Sequence, residues 1–197
     1  MLNQNKIEKS VKKILEVPFW TGAKPEDSAI LILPGIQGHR IPDGSKIWPS
    51  KGKYLWVAGT RGDPSYSRPK ILEMINKQTR KSYNPNIETQ RFANNTVDQM
   101  MWATELLKEY ENVNHVILTT ALYHTSRCTL TLLKAIEKQS LEGVVISPVP
   151  IIHSSGPSFD SQEFQEELKR IPLYQEKGDV ATFKDWNAYL KWRKNFT

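Results

Sequence analysis

The stretch Val116-Ile-Leu-Thr-Thr-Ala-Leu-Tyr-His-Thr-Ser-Arg127 decides how the rest of the chain is read. An apolar run breaks into hydroxyls, then His124 and Arg127, and a helical pattern follows at once. Short continuous apolar runs mark strands buried on both faces, as in a parallel sheet. Thr120, His124 and Arg127 are therefore expected at the carboxyl end of a buried strand, facing the N-terminus of the next helix. Ligands bind there in open α/β sheets, because helix N-termini carry unpaired N–H groups and partial positive charge.

The same pattern repeats on both sides of this stretch. Ala29-Ile-Leu-Ile-Leu33 ends in Pro34-Gly35, and Tyr54-Leu-Trp-Val-Ala58 ends in Gly59-Thr-Arg-Gly62, so both glycine loops are expected on one edge. A helix is predicted from Arg68 to Arg80 with Ile71, Leu72 and Ile75 inward, followed by a weaker extended stretch near Asn86 to Arg91. Asn94-Asn95-Thr96 supplies capping side chains and Asp98 falls in the first turn. Val97, Met100, Met101, Leu106 and Leu107 then form an apolar face on a helix ending near Tyr110. Val116 to Leu118 reads as a strand, Tyr123 to Glu137 as its helix, and Val144 to Ile146 as a strand running into Pro148-Val-Pro150. An amphipathic helix carrying Ile7, Val11, Ile14 and Leu15 precedes the core, and aromatic-rich helical stretches (Phe164, Trp186, Tyr189, Trp192) follow it. The alternation predicts an α/β chain, a Rossmann-like three-layer sandwich with a mostly parallel sheet of about five strands. We read one domain over 1–197, with a core at 28–150, an N-terminal helix at 1–17 and a C-terminal helical extension at 151–197.

With 197 residues and 39% hydrophobic content, the chain can bury one substantial core. Its one cysteine, Cys128, cannot form an internal disulfide, which suggests a reducing compartment, and on its helix it reads as a small buried hydrophobe. The opening residues lack a signal-peptide core, and no run approaches the roughly 18 apolar residues of a membrane span. A cytoplasmic protein without a membrane anchor is expected. The net charge of +6 is concentrated: His39 to Lys81 holds ten Lys/Arg against three acids, while the remainder holds 17 against 18. Such a field favours an anionic ligand, although a solvated basic face without a partner produces the same pattern. Nucleic acid ranks last among partners, because the aromatics do not interleave regularly with the basic run. The oligomeric state is not readable.

His124 and Arg127 are three apart, so on a helix they share a face and can converge on one group. Arginine clamps phosphate or carboxylate with paired hydrogen bonds, and the histidine can add a donor or move a proton. His124 is therefore the one candidate for catalysis, and Arg127→Ala is expected to weaken ligand binding while leaving the fold intact. Asn95 and Thr96 read as a helix cap that can also touch a ligand, and Asp98 either favours the helix dipole or orients His124. Gly35, Gln37, Gly38 and Arg40 form a candidate anion-cradling loop after the first strand, and Gly59, Thr60 and Arg61 a similar one after the second. No G-x-G-x-x-G, P-loop, G-x-S-x-G or H-E-x-x-H pattern is present, so the usual NAD and ATP sites and a metal site lack support.

In their order and spacing, Pro34-Gly-Ile-Gln-Gly-His-Arg40, Ala58-Gly-Thr-Arg61, Asn95-Thr-Val-Asp-Gln99 and Thr119-Thr-Ala-Leu-Tyr-His-Thr-Ser-Arg127 resemble the motifs of the YdcF-like family (the SanA/ElyC/YdcF domain). The last two are the specific part. Asp98 and Gln99 stand where the family has Glu and Asn, and Ala121 where it has Ser. The resemblance covers roughly Ala29 to Val149. It implies a Rossmann-like fold, binding roles for Asn95, Thr96, His124 and Arg127, and S-adenosylmethionine as a candidate cofactor; it establishes no general reaction. The leading expectation is a protein that binds an anionic, nucleotide-like or phosphorylated small molecule at the sheet's carboxyl edge. It would act as a hydrolase or transferase, or as a binding or regulatory module without turnover.

Overall fold

The computed structural model describes residues 4–35, 38–60, 67–79, 86–152, 159 and 161–196. Helix α1 (Gln4–Leu15) leads into β1 (Ser28–Ile32), α2 (Arg40–Ser45), β2 (Tyr54–Val57), α3 (Arg68–Thr79) and β3 (Ile87–Thr89). The chain continues through α4 (Thr96–Glu109), β4 (His115–Ala121), α5 (Leu122–Lys138), β5 (Val145–Ile151), α6 (Gln162–Glu176) and α7 (Phe183–Arg193). The five strands form one all-parallel sheet in the order β3-β2-β1-β4-β5. Helices cover both faces, giving a Rossmann-like three-layer sandwich. The chain works outward from β1 to β3 and then crosses to β4 on the other side of β1, so the strand order reverses between β1 and β4.

Alternate strand residues supply the two cores, which is why the strands read as unbroken apolar runs. Ile30, Ile32, Leu55, Val57 and Ile117 pack with Ile41 of α2 and Ile71 and Ile75 of α3. Ala29, Leu31, Trp56, Val116, Leu118 and Ile146 face the other way. They form one core with α1, α4 and α5, and with Phe164, Leu168 and Ile171 of α6 and Trp186 of α7. Cys128 is fully buried there, its thiol pushed up to about 12 by that burial.

Three boundaries differ from the sequence reading. Strand β4 runs through Ala121, so Thr119 and Thr120 are still strand residues. A short helix, α2, occupies part of the segment read as a loop, with Arg40 as its first residue. Strand β5 continues through Pro148 and Pro150 to Ile151. The prolines fit because β5 is an edge. Val145 N–H bonds inward to Asn114 O at 2.8 Å, so the N–H of Ile146 faces outward, where the Tyr189 hydroxyl accepts it at 2.6 Å. By the two-residue period, Pro148 and Pro150 take the next outward positions and have no N–H to leave unpaired.

At the amino end of β4, buried His115 lies between the hydroxyls of Ser28 (3.0 Å) and Ser147 (2.9 Å), with Phe19 and Trp20 edge-on to its ring. Burial, assisted by Arg193, lowers its pKa to about 4. No helix among the described residues is long and apolar enough to cross a membrane.

Candidate functional site

Strand β4 passes into α5 with no loop between them, and Ala121 at the junction offers no side-chain cap to the first turn. By contrast α4 is capped by Asn95, α6 by Ser161 and α7 by Thr182. The first turn of α5 therefore presents its N–H groups at the carboxyl edge of the sheet, beside the point where the strand order reverses.

Arg40 reaches this place from α2. It is only 6% exposed. One terminal nitrogen donates to Thr120 Oγ1 at 3.1 Å and the other to the Tyr123 hydroxyl at 3.0 Å, with the guanidinium carbon 5.8 Å from the Tyr123 ring centre. Its Nε has no hydrogen-bond partner, and no described carboxylate lies within 4 Å of it. The guanidinium lies against Gly35, where a Cβ would stand 2.6 Å from Arg40 Cζ and where φ is +67°. Both facts require glycine. Gly38 also takes a positive φ of 66°.

Arg127 is in a different state. Its Nε and one terminal nitrogen form a fork on Glu167 of α6 at 2.5 and 3.2 Å. The same terminal nitrogen donates to His124 Nδ1 at 3.1 Å, and the other donates to Thr96 Oγ1 at 3.4 Å. The Tyr174 ring centre is 5.3 Å from its guanidinium carbon, and Arg170 adds a 3.2 Å hydrogen bond to Glu167. Burial opposes the Glu167 charge, but the cationic surroundings, with Arg127 in direct contact, outweigh it and hold the carboxyl at about 2. Burial likewise works against the Arg127 charge, and the Glu167 carboxylate more than restores it.

These contacts fix the state of His124. An arginine N–H can only donate, so Nδ1 accepts and the proton resides on Nε2. The Glu167 carboxylate is 3.6 Å from Nδ1, too far for a hydrogen bond. Burial, with the positive charges of Arg127 and Arg40, lowers the His124 pKa against the pull of Glu167. The ring is a neutral donor through Nε2, its other nitrogen being occupied.

The structure thus brings Arg40 together with Thr120 and Tyr123, and Arg127 together with His124 and Thr96, the two groups meeting where the Tyr123 and His124 ring centres lie 6.1 Å apart. The two loops are built differently. Asn95 is the cap of α4, accepting from Asp98 N–H at 3.0 Å, and Asp98 accepts from the backbone and side chain of Asn94 at 2.9 and 3.0 Å. The role of holding His124, open to Asp98 on sequence grounds, belongs to Arg127, which Glu167 holds in turn. Gly59 is tied to Gln90 and Gln99 at 3.0 and 2.6 Å, and Thr60 O accepts from Ala93 N–H at 3.3 Å. A Cβ on Gly59 would stand 2.8 Å from the Phe92 backbone, so this glycine permits close approach of two loops. Gln37 and Arg61 lie outside the described residues.

Glu167, Tyr123 and Tyr174 were not anticipated. Glu167 had a signal: it shares a helix face with Phe164, Leu168 and Ile171, and an acid on an apolar face needs a buried partner. No group of three His, Cys, Asp or Glu side chains that would hold a metal occurs among the described residues. The chain matches no protein-family model and no curated protein.

Proposed function

We propose that the chain binds a small phosphorylated or nucleotide-like anion at the carboxyl edge of its sheet, in the manner implied by its resemblance to the YdcF-like family. The observation that carries this reading is Arg40, a charge removed from water with no carboxylate within 4 Å of it among the described residues. Such a charge costs several kcal/mol unless it is compensated, and an arriving anion compensates it. The setting supports the same ligand. Arg40 lies at the β1/β4 reversal, where open α/β sheets place their ligands, next to the uncapped start of α5.

Arg40 takes the anion, the Gly35 backbone allows close approach, and His124 contributes an Nε2–H hydrogen bond. Arg127 positions His124 through Nδ1, and its own fork is spent on Glu167. With Nδ1 engaged, His124 has no free lone pair for general-base work. This favours a binding role, or a reaction in which His124 donates a proton, over hydrolysis by base activation of water. S-Adenosylmethionine offers a carboxylate to the same guanidinium and belongs in the test panel.

The test is a thermal-shift series with inorganic phosphate, AMP, ATP, a sugar phosphate, a polyprenyl phosphate and S-adenosylmethionine, on the natural chain and on Arg40→Met. A ligand at a hundred times its Kd stabilises by about 2.7 kcal/mol. For a chain of this size that raises Tm by roughly 5–10 °C. The shift is expected in the natural chain and absent in Arg40→Met. No shift with any of the six, or equal shifts in both proteins, removes the reading.

A further inference from the structure

Near the amino end of β4, a cavity of about 550 Å³ opens between the end of α1 and α7. Its walls are apolar, from Val17, Pro18, Phe19, Trp20 and Leu190, and its rim carries Lys13, Lys194 and Glu16. Arg193 also lines it while only 6% exposed. Its one hydrogen bond is from a terminal nitrogen to Pro18 O at 2.7 Å, and no described carboxylate lies within 4 Å. The Trp20 indole N–H, in the same wall, is buried without a partner. Phe19 is among the few large apolar side chains left exposed.

An apolar cavity of this size with a few polar groups is the ordinary form of a small-molecule site. A buried guanidinium with no counter-charge among the described residues selects what enters. A neutral hydrocarbon would leave it uncompensated, a cation would be repelled, and an anion without a tail would leave the apolar walls in water. We propose that this cavity binds an amphiphilic monoanion, a medium-chain carboxylate whose tail lies along Val17, Phe19 and Leu190 and whose headgroup meets Arg193. This site is separate from that of Arg40, and neither proposal depends on the other.

Calorimetric titration of the full chain with decanoate and with decanol tests it. Decanoate is expected to bind at least about tenfold tighter than decanol, the usual scale for one charge-assisted contact. Arg193→Met brings decanoate down to the decanol value. Phe19→Ala, at a ring 36% exposed, weakens both several-fold. Absence of decanoate binding at millimolar concentration, equal affinity for the two compounds, or decanoate binding unchanged in both variants overturns the proposal.

Discussion

Replacing Arg127 with Met should unbalance the protein rather than merely weaken a ligand contact. The substitution keeps most of the apolar stem and deletes the fork on Glu167, whose side chain is 4% exposed. The remaining cation, Arg170, is 50% exposed and makes one contact, so it cannot replace a bidentate partner. Breaking a buried pair by removing one member costs about 3–5 kcal/mol. The Glu167 carboxyl points the same way: the cationic surroundings hold it below its ordinary value, at about 2, so its charged form depends on the groups around it. Urea unfolding at pH 7 should therefore show a loss of about 3 kcal/mol, with Tm lower by roughly 6–12 °C. The double variant Arg127→Met, Glu167→Leu should recover at least about 2 kcal/mol, because no buried charge is left alone. A loss under about 1 kcal/mol, or strictly additive effects, would refute the coupling. The sequence alone suggested an arginine removable without harm to the fold, and the carboxylate that changes this lies 40 residues away.

Acid should destabilise the protein in two steps. His115 has its folded pKa lowered from 6.5 to about 4, so it contributes stability above pH 6.5 that is lost as pH falls toward 4. About 3 kcal/mol is at stake there, and Glu167 adds its loss between pH 4.5 and about 2. Unfolding free energies at pH 7.5, 5 and 4 check this, and a flat profile down to pH 4 contradicts it. Gly35→Ala places a Cβ 2.6 Å from the Arg40 guanidinium carbon at a φ of +67°; denaturant melts should show at least about 1–2 kcal/mol lost, and ligand-induced stabilisation should vanish with it. Arg40→Met, measured without added anion, should change stability by no more than about 1 kcal/mol, since two hydrogen bonds are exchanged for relief of a buried charge. A loss like that of Arg127→Met would show that Arg40 is structural.

The sheet was legible because its strands are buried on both faces. Ala29 to Leu33 and Tyr54 to Ala58 are apolar at every position, which no amphipathic helix would be. Helix α2 was not legible. Pro42 and Gly44 lower its propensity, and it is held by Ile41 packing beneath the sheet and by Gly44, whose missing Cβ lets it approach Ile32 and Thr119. Pro148 and Pro150 resembled a strand end because their harmlessness depends on β5 being an edge, which is a fact of topology. At the site, the spacing of His124 and Arg127 put them on one helix face, and there the structure joins them by a hydrogen bond. Which arginine is paired with Glu167 is decided by α6, and no local pattern around Arg40 or Arg127 contains that information.

The most direct measurement is a ³¹P NMR titration of AMP and inorganic phosphate with the natural chain and with Arg40→Met, reading line width against protein concentration. A guanidinium held unpaired for an anion predicts broadening of the AMP signal by the natural chain and its disappearance in Arg40→Met. Broadening of equal size in the two proteins, or none in either, would contradict it.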